Sequence, residues 1–198
     1  MMMKLMNNIK IIIMGTNLHN SYVLKALDAY PYDLEETLEA LNYALSYNNK
    51  DVHALCLMGR VYSEQLQDFE TAKQFFVEAL SEGLEVHYIY LHFIQTLLWN
   101  DDYIEAEKLI DFALHVKGID KGSLLLKKGQ LYEATGKYKL ALATLKEAKK
   151  GGLNNSFVDY VKDEISRVKR KAKPKKKKRK KKKVKSDKKK SKIFFGLI

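Results

Sequence analysis

Apolar positions in this chain recur at spacings of three and four rather than two, so the pattern predicts an all-α protein. The best-formed stretch runs from Leu125 to Ala148. Leu125, Gly129 and Tyr132 fall on one helical face, and Ala141, Leu145 and Ala148 fall on another. Gly136 separates the two sets and can take the positive φ at which helices commonly end. The stretch therefore predicts a helical hairpin.

The same arrangement occurs twice more. Gly59, Tyr62, Ala72, Phe76 and Ala79 mark one copy, and Tyr90, Phe93, Tyr103, Ala106, Ile110 and Ala113 mark another. Ala72 lies 34 residues before Ala106, which lies 35 before Ala141. From roughly Asp33 to Asn155 this resembles the tetratricopeptide repeat family, with its period of about 34, small residues in the middle of each helix and an aromatic leading the second. The resemblance implies a right-handed superhelix of antiparallel helix-turn-helix repeats. There are departures from the family pattern. The Val52 to Val86 unit has one extra residue in its inter-helix turn; Ile94 stands where the family has Gly or Ala, which should force that hairpin slightly apart; and Lys128 replaces an apolar residue. The segment from Asp33 to Asp51 matches only a second helix, through Leu41, Ala44 and Leu45. Its partner, near Leu18 to Tyr30, is recognisable only as apolar and helical.

Punctuation fits this frame. Tyr30-Pro31-Tyr32 should turn, because proline cannot continue a helix interior. Asp33 with Glu36 reads as a capping box, Asp102 with Glu105 predicts the same arrangement, and Asp68 can cap in the same place. Capping and solvated faces account for Asp101, Asp102, Glu105 and Glu107, so these carboxylates are not read as a metal or acid–base cluster. Beyond Gly151-Gly152, Asn154 to Ser156 can cap a further helix whose stripe is Phe157, Val161, Ile165 and Val168. Such a helix would close the exposed apolar end of a stack.

Charge divides the chain sharply. Met1 to Ser166 holds 17 Lys and Arg against 23 Asp and Glu, a net of −6, while Arg167 to Lys192 holds 19 against the single Asp187, a net of +18. The expected organisation is an extension at 1–15, a repeat domain with its capping helix at 16–168, a Lys/Arg-rich tail at 169–192 and an apolar peptide at 193–198. A lysine run cannot bury enough apolar surface to offset chain entropy, so the tail is expected to be disordered or a fluctuating helix. Cys56 is the only cysteine, which excludes an intrachain disulfide. No apolar run approaches the ~20 residues of a membrane span, and Ile11 to Met14 is too short a core for a secretory signal. A cytoplasmic location is expected, or a nuclear one in a eukaryotic cell.

Resemblance to the family also implies where a partner would bind, because the concave face is lined by the first helix of each unit. Carried over, the groove takes His53, Cys56, Leu57, Arg60, Ser63 and Glu64 from one unit, then Tyr88, Leu91, His92, Gln95, Leu98 and Trp99 from the next. Ser123, Leu126, Lys127, Gln130, Glu133 and Ala134 come from the last. Of these, His53, Arg60, Tyr88, His92, Gln95, Trp99, Lys127 and Gln130 are the candidate contacts, with Tyr88, Trp99 and Arg60 as the expected anchors. Arg60, His92 and Lys127 could attract an acidic peptide. The Lys and Asn clamp by which one subgroup grips chaperone C-termini is incomplete, since its positions hold Cys56, Arg60, His92, Ser123 and Lys127. His53, Cys56 and His92 form the one metal-like grouping, and it lacks a fourth ligand and any spacing pattern. No phosphate loop or nucleophile–base set is present, so no cofactor, small-molecule substrate or enzymatic activity is implied.

The expected function is a non-enzymatic adaptor holding a peptide or helix of a protein partner. The tail supplies the alternative. Lys175, Lys176, Lys177, Lys178, Arg179, Lys180, Lys181, Lys182 and Lys183 would bind RNA, DNA or the ribosome through counterion release. The same lysines with Phe194 and Phe195 could hold an anionic membrane, resemble a nuclear import signal, or simply solubilise the chain.

Overall fold

The protein is described by a computed structural model over residues 21–173. The expected extension at 1–15, the lysines at 175–183 and the apolar peptide at 193–198 lie outside the described residues. Within them the chain is helical. Helix α1 covers 21–29, and is followed by α2 (Leu34–Tyr47), α3 (Val52–Arg60), α4 (Phe69–Glu82), α5 (His87–Trp99), α6 (Tyr103–Ala113), α7 (Lys121–Ala134), α8 (Tyr138–Lys150) and α9 (Asn155–Ala172). Consecutive helices pair as antiparallel hairpins, and α9 packs along α8. No described helix is long and apolar enough to cross a membrane.

Small residues set the close crossings. A Cβ on Gly59 would lie 3.0 Å from the Phe76 ring, and one on Gly129 would lie 2.6 Å from Leu145. Ile94 occupies the same position in the middle hairpin and is fully buried. As expected from that bulk, α5 lies less closely against α6 than α3 does against α4 or α7 against α8. Ala72, Ala106 and Ala141, the repeating alanines of the second helices, are all inaccessible to solvent. Phe76, Tyr90, Phe93 and Ile110 join one central core, which is continued toward α1 by Ala26, Leu41 and Val61 and toward α9 by Leu145, Val161 and Val168.

The turns of the last three hairpins each pass through one left-handed residue: Gln67 (φ 56°), Asp101 (φ 60°) and Gly136 (φ 73°). Only the last is the glycine this conformation favours. In the two later hairpins the turn closes by a bond from Asp102 N–H to Leu97 C=O, or from Lys137 N–H to Tyr132 C=O. The Val52 to Val86 unit has to absorb its extra residue. It does so by widening the end of α3 into a π-helical segment, Val61–Leu66, so that Asp68 N–H reaches one residue further back, to Tyr62 C=O.

Asp33 accepts from Glu36 N–H at 2.9 Å, Asp68 from Thr71 N–H at 3.1 Å and Asn154 from Phe157 N–H at 2.8 Å, each at a helix start. The expected cap at Asp102 does not form. Its carboxylate instead accepts from Lys73 Nζ at 2.9 Å and Asn100 Nδ2 at 2.7 Å, because Lys73 on α4 brings a full charge where a cap offers only an amide. Both carboxylates beside Lys73, Glu70 and Asp102, hold its ammonium above the usual lysine range. Helix α9 runs to Ala172, four residues past the expected end at 168, and carries Lys169, Arg170 and Lys171 in its last turn, where cations favour a helix terminus.

Candidate binding groove

The first helices of the hairpins, α1, α3, α5 and α7, supply one side of the stack, and six of the eight candidate residues line two hollows along it, while His92 and Lys127 line neither. The larger, of about 470 Å³, is walled by Val23, Leu24 and Leu27 of α1, His53, Cys56, Leu57 and Arg60 of α3, and Tyr88 of α5. Cys56 and Leu57 are buried and form its floor, whereas Leu24 and Leu27 remain 60% and 46% exposed at its mouth. Unsatisfied apolar surface at the rim of a concave site is the usual mark of a place that takes another molecule's side chains. Burial pushes the Cys56 thiol up to about 12, so it stays protonated and acts as an apolar surface.

The polar rim of this hollow is already paired within the chain. Arg60 Nε donates to Glu64 Oε1 at 3.0 Å, and its guanidinium stacks 4.6 Å over the Tyr30 ring. Glu64 also accepts from the Tyr30 hydroxyl, and His92 Nδ1 lies 3.4 Å away. Burial works to raise the Glu64 carboxyl, but its bonds with His92, Arg60 and Tyr30 outweigh it and hold the group at about 2. Glu64 sits in the π-helical segment, which places it within reach of α1, α3 and α5 together. His53 and Tyr88 are hydrogen-bonded through Nδ1 and the phenol, and burial pushes the Tyr88 hydroxyl up to about 12. Arg60 and His92 thus face a carboxylate of their own chain, so the described residues of the hollow present no spare positive charge for an acidic peptide.

A second hollow of about 420 Å³ is bounded by Gln95, Leu98 and Trp99 of α5, Gln130, Glu133 and Ala134 of α7, and Tyr160, Arg167 and Lys171 of α9. Here α9 has taken up Gln130 and Glu133, two of the residues expected on the groove. Gln130 Nε2 donates to Glu164 at 3.1 Å, Arg167 Nη2 donates to both Glu133 and Glu164 at 2.6 Å, and Lys171 Nζ lies 2.9 Å from Glu133. Lys127 donates to Gln95, and burial lowers its ammonium below the usual lysine range, with Glu164 working against the shift. Trp99 alone of the candidates here stays half exposed, and it also edges a smaller hollow with Ser63, Glu64, Gln67 and Phe69. His53, Arg60 and Tyr88 are therefore brought to one hollow and Gln95, Trp99 and Gln130 to the other. Leu24, Leu27 and Val23 are not among the residues the sequence singles out, because it marks their helix only as apolar and helical. Among the described residues no group of three His, Cys, Asp or Glu side chains is placed to hold a metal ion.

Antiparallel hairpins stacked around a groove, closed by an extra helix, define a helical-repeat protein. Residues 52–82 and 122–150 match the tetratricopeptide repeat family, so two of the hairpins are tetratricopeptide repeats. The backbone is similar to the crystal structure of PilW, a widely conserved type IV pilus biogenesis factor, with a TM-score of 0.61 over 77% of this chain and 78% of that one. At 18% identity the likeness is one of fold. No curated protein matches the sequence.

Proposed function

We propose that this protein is a non-enzymatic interaction scaffold, and that the hollow between α1, α3 and α5 receives apolar side chains from a peptide or helix of a protein partner. The observation that carries the proposal is the exposure of Leu24 and Leu27 over a floor of Cys56 and Leu57. Charged groups around them are mutually neutralised, which favours apolar over acidic ligands. Tyr88 is the anchor at the far wall, and Arg60, His53 and His92 shape the rim rather than supply attraction. The cytoplasm, with its reduced thiols, is the compartment this reading implies.

The test is capture of partners by the full-length chain and by Leu24→Asp/Leu27→Asp. Both positions are largely exposed, at 60% and 46%, so the variant should keep its helical content and lose bound partners. Unchanged capture would exclude the hollow. A second reading, binding of polyanions through the tail, is supported by fourteen Lys and Arg against one Asp at 174–192. It predicts affinity for RNA that falls steeply as salt rises, and a flat salt profile would rule it out.

A further inference from the structure

The charge of the described residues is distributed along the stack rather than evenly over it. Residues 21–120 hold six Lys and Arg against eighteen Asp and Glu, a net of −12, whereas residues 121–173 hold fourteen against five, a net of +9. The lysine-rich segment 174–192, net +13, leaves from the basic end. Repulsion there and attraction toward the first three hairpins both direct it along the stack toward α1, α3 and α5. Immediately after it come Ile193, Phe194, Phe195, Gly196, Leu197 and Ile198, five large apolar side chains in six residues.

The apolar hollow lies within that acidic half. From α9 to α3 is three first-helix steps of about 8–10 Å each, or roughly 30 Å. Twenty residues, from Lys173 to Ile193, span up to about 66 Å when extended. The segment is thus long enough, with slack, to bring 193–198 to the hollow. We propose that residues 193–198 of this chain occupy the hollow between α1, α3 and α5, drawn there by the 174–192 segment lying over the acidic hairpins. Phe194 and Phe195 bury against Leu24, Leu27 and Leu57, where each aromatic ring removes a large apolar area from water. The inference rests on the hollow being a binding site and adds its regulation. A protein partner competes with the chain's own peptide, and any polyanion that engages the lysines lowers the local concentration of that competitor.

The experiment replaces Phe194 with photoreactive p-benzoylphenylalanine in the full-length chain and maps the adducts by mass spectrometry. The expected result is an adduct within one chain, at Val23 to Leu27 or at Cys56 and Leu57. Its yield should fall at least fivefold in Leu24→Asp/Leu27→Asp, and severalfold at about 0.5 M salt, where the Debye length drops to about 4 Å. Adducts between two chains would assign the hollow to a second copy, and adducts elsewhere, or none, would remove the peptide from it; each overturns the proposal. Phe194→Ser/Phe195→Ser should also raise partner capture at least twofold. Loss of capture in the Leu24/Leu27 variant without the intramolecular adduct refutes occupancy by 193–198 and leaves the binding site standing. Loss of both effects refutes the site itself.

Discussion

Replacing Glu64 with Gln tests whether this carboxylate holds the first three hairpins in register. Glu64 is the shared partner of Tyr30 just after α1, Arg60 on α3 and His92 on α5, and its pKa is held at about 2 against an ordinary 4.5. A shift of that size corresponds to about 3 kcal/mol. With a quarter of the side chain in water, screening reduces the expected loss in Glu64→Gln to about 1–2 kcal/mol at neutral pH. The sign follows from the depressed value. The contribution is present above about pH 4.5 and is lost as pH falls toward 2, with about half remaining near pH 3.3. Urea unfolding of both proteins, followed by circular dichroism at pH 7, 5 and 3.3, reads the difference directly. A gap that is constant from pH 7 to 5 and roughly halved at 3.3 is expected. A gap below about 0.3 kcal/mol, or one independent of pH across that range, would refute the role given to Glu64.

Three further substitutions probe the repeat geometry, each by thermal or urea unfolding. Gly129→Ala should destabilise by about 1–2 kcal/mol even though alanine favours helix, because its Cβ would meet buried Leu145 at 2.6 Å; a gain would show that α7 and α8 have room to separate. Ala106→Leu should cost about 1–3 kcal/mol by overpacking at a fully buried position, and a neutral result would mean that α5 and α6 can part without loss. Gln67→Gly should stabilise by about 0.5–1 kcal/mol, because relief of its left-handed backbone exceeds the added chain entropy; a lower melting temperature would contradict this.

The hairpins were legible because their determinants are local. Gly136 and the alanines at period 34 to 35 announce a turn and close crossings whatever surrounds them. Asp33, Asp68 and Asn154 cap their own helices from three residues away. What was not legible depends on partners distant in sequence. Asp102 gives up its cap to Lys73, 29 residues earlier. The extra residue near Val61 was visible, but not that the helix would widen and carry Glu64 toward three helices at once. Glu64 lies four residues after Arg60, and that spacing alone signals an ion pair and could have warned that the arginine is not free. Gln130 follows the family's groove pattern, yet α9 borders the groove there and its Glu164 takes up that amide, a contact that reveals itself only once the helices are docked. Leu24 and Leu27 were hidden for another reason: an isolated apolar helix does not say which face its neighbours leave uncovered.

The groove thus has two chemically different ends. Toward α9 it is satisfied by the chain's own ion pairs, with Trp99 left half exposed. Toward α1 it is apolar, open and free of uncompensated charge. The central claim is that this second end meets other proteins. It is tested most directly by placing p-benzoylphenylalanine at Leu27, and separately at Ile104, which is 73% exposed on α6. Both are made in the full-length Phe194→Ser/Phe195→Ser chain and irradiated in cells. Adducts to another protein from position 27, with none from position 104, are the predicted result. Adducts from position 104 alone, or from neither, would contradict the account.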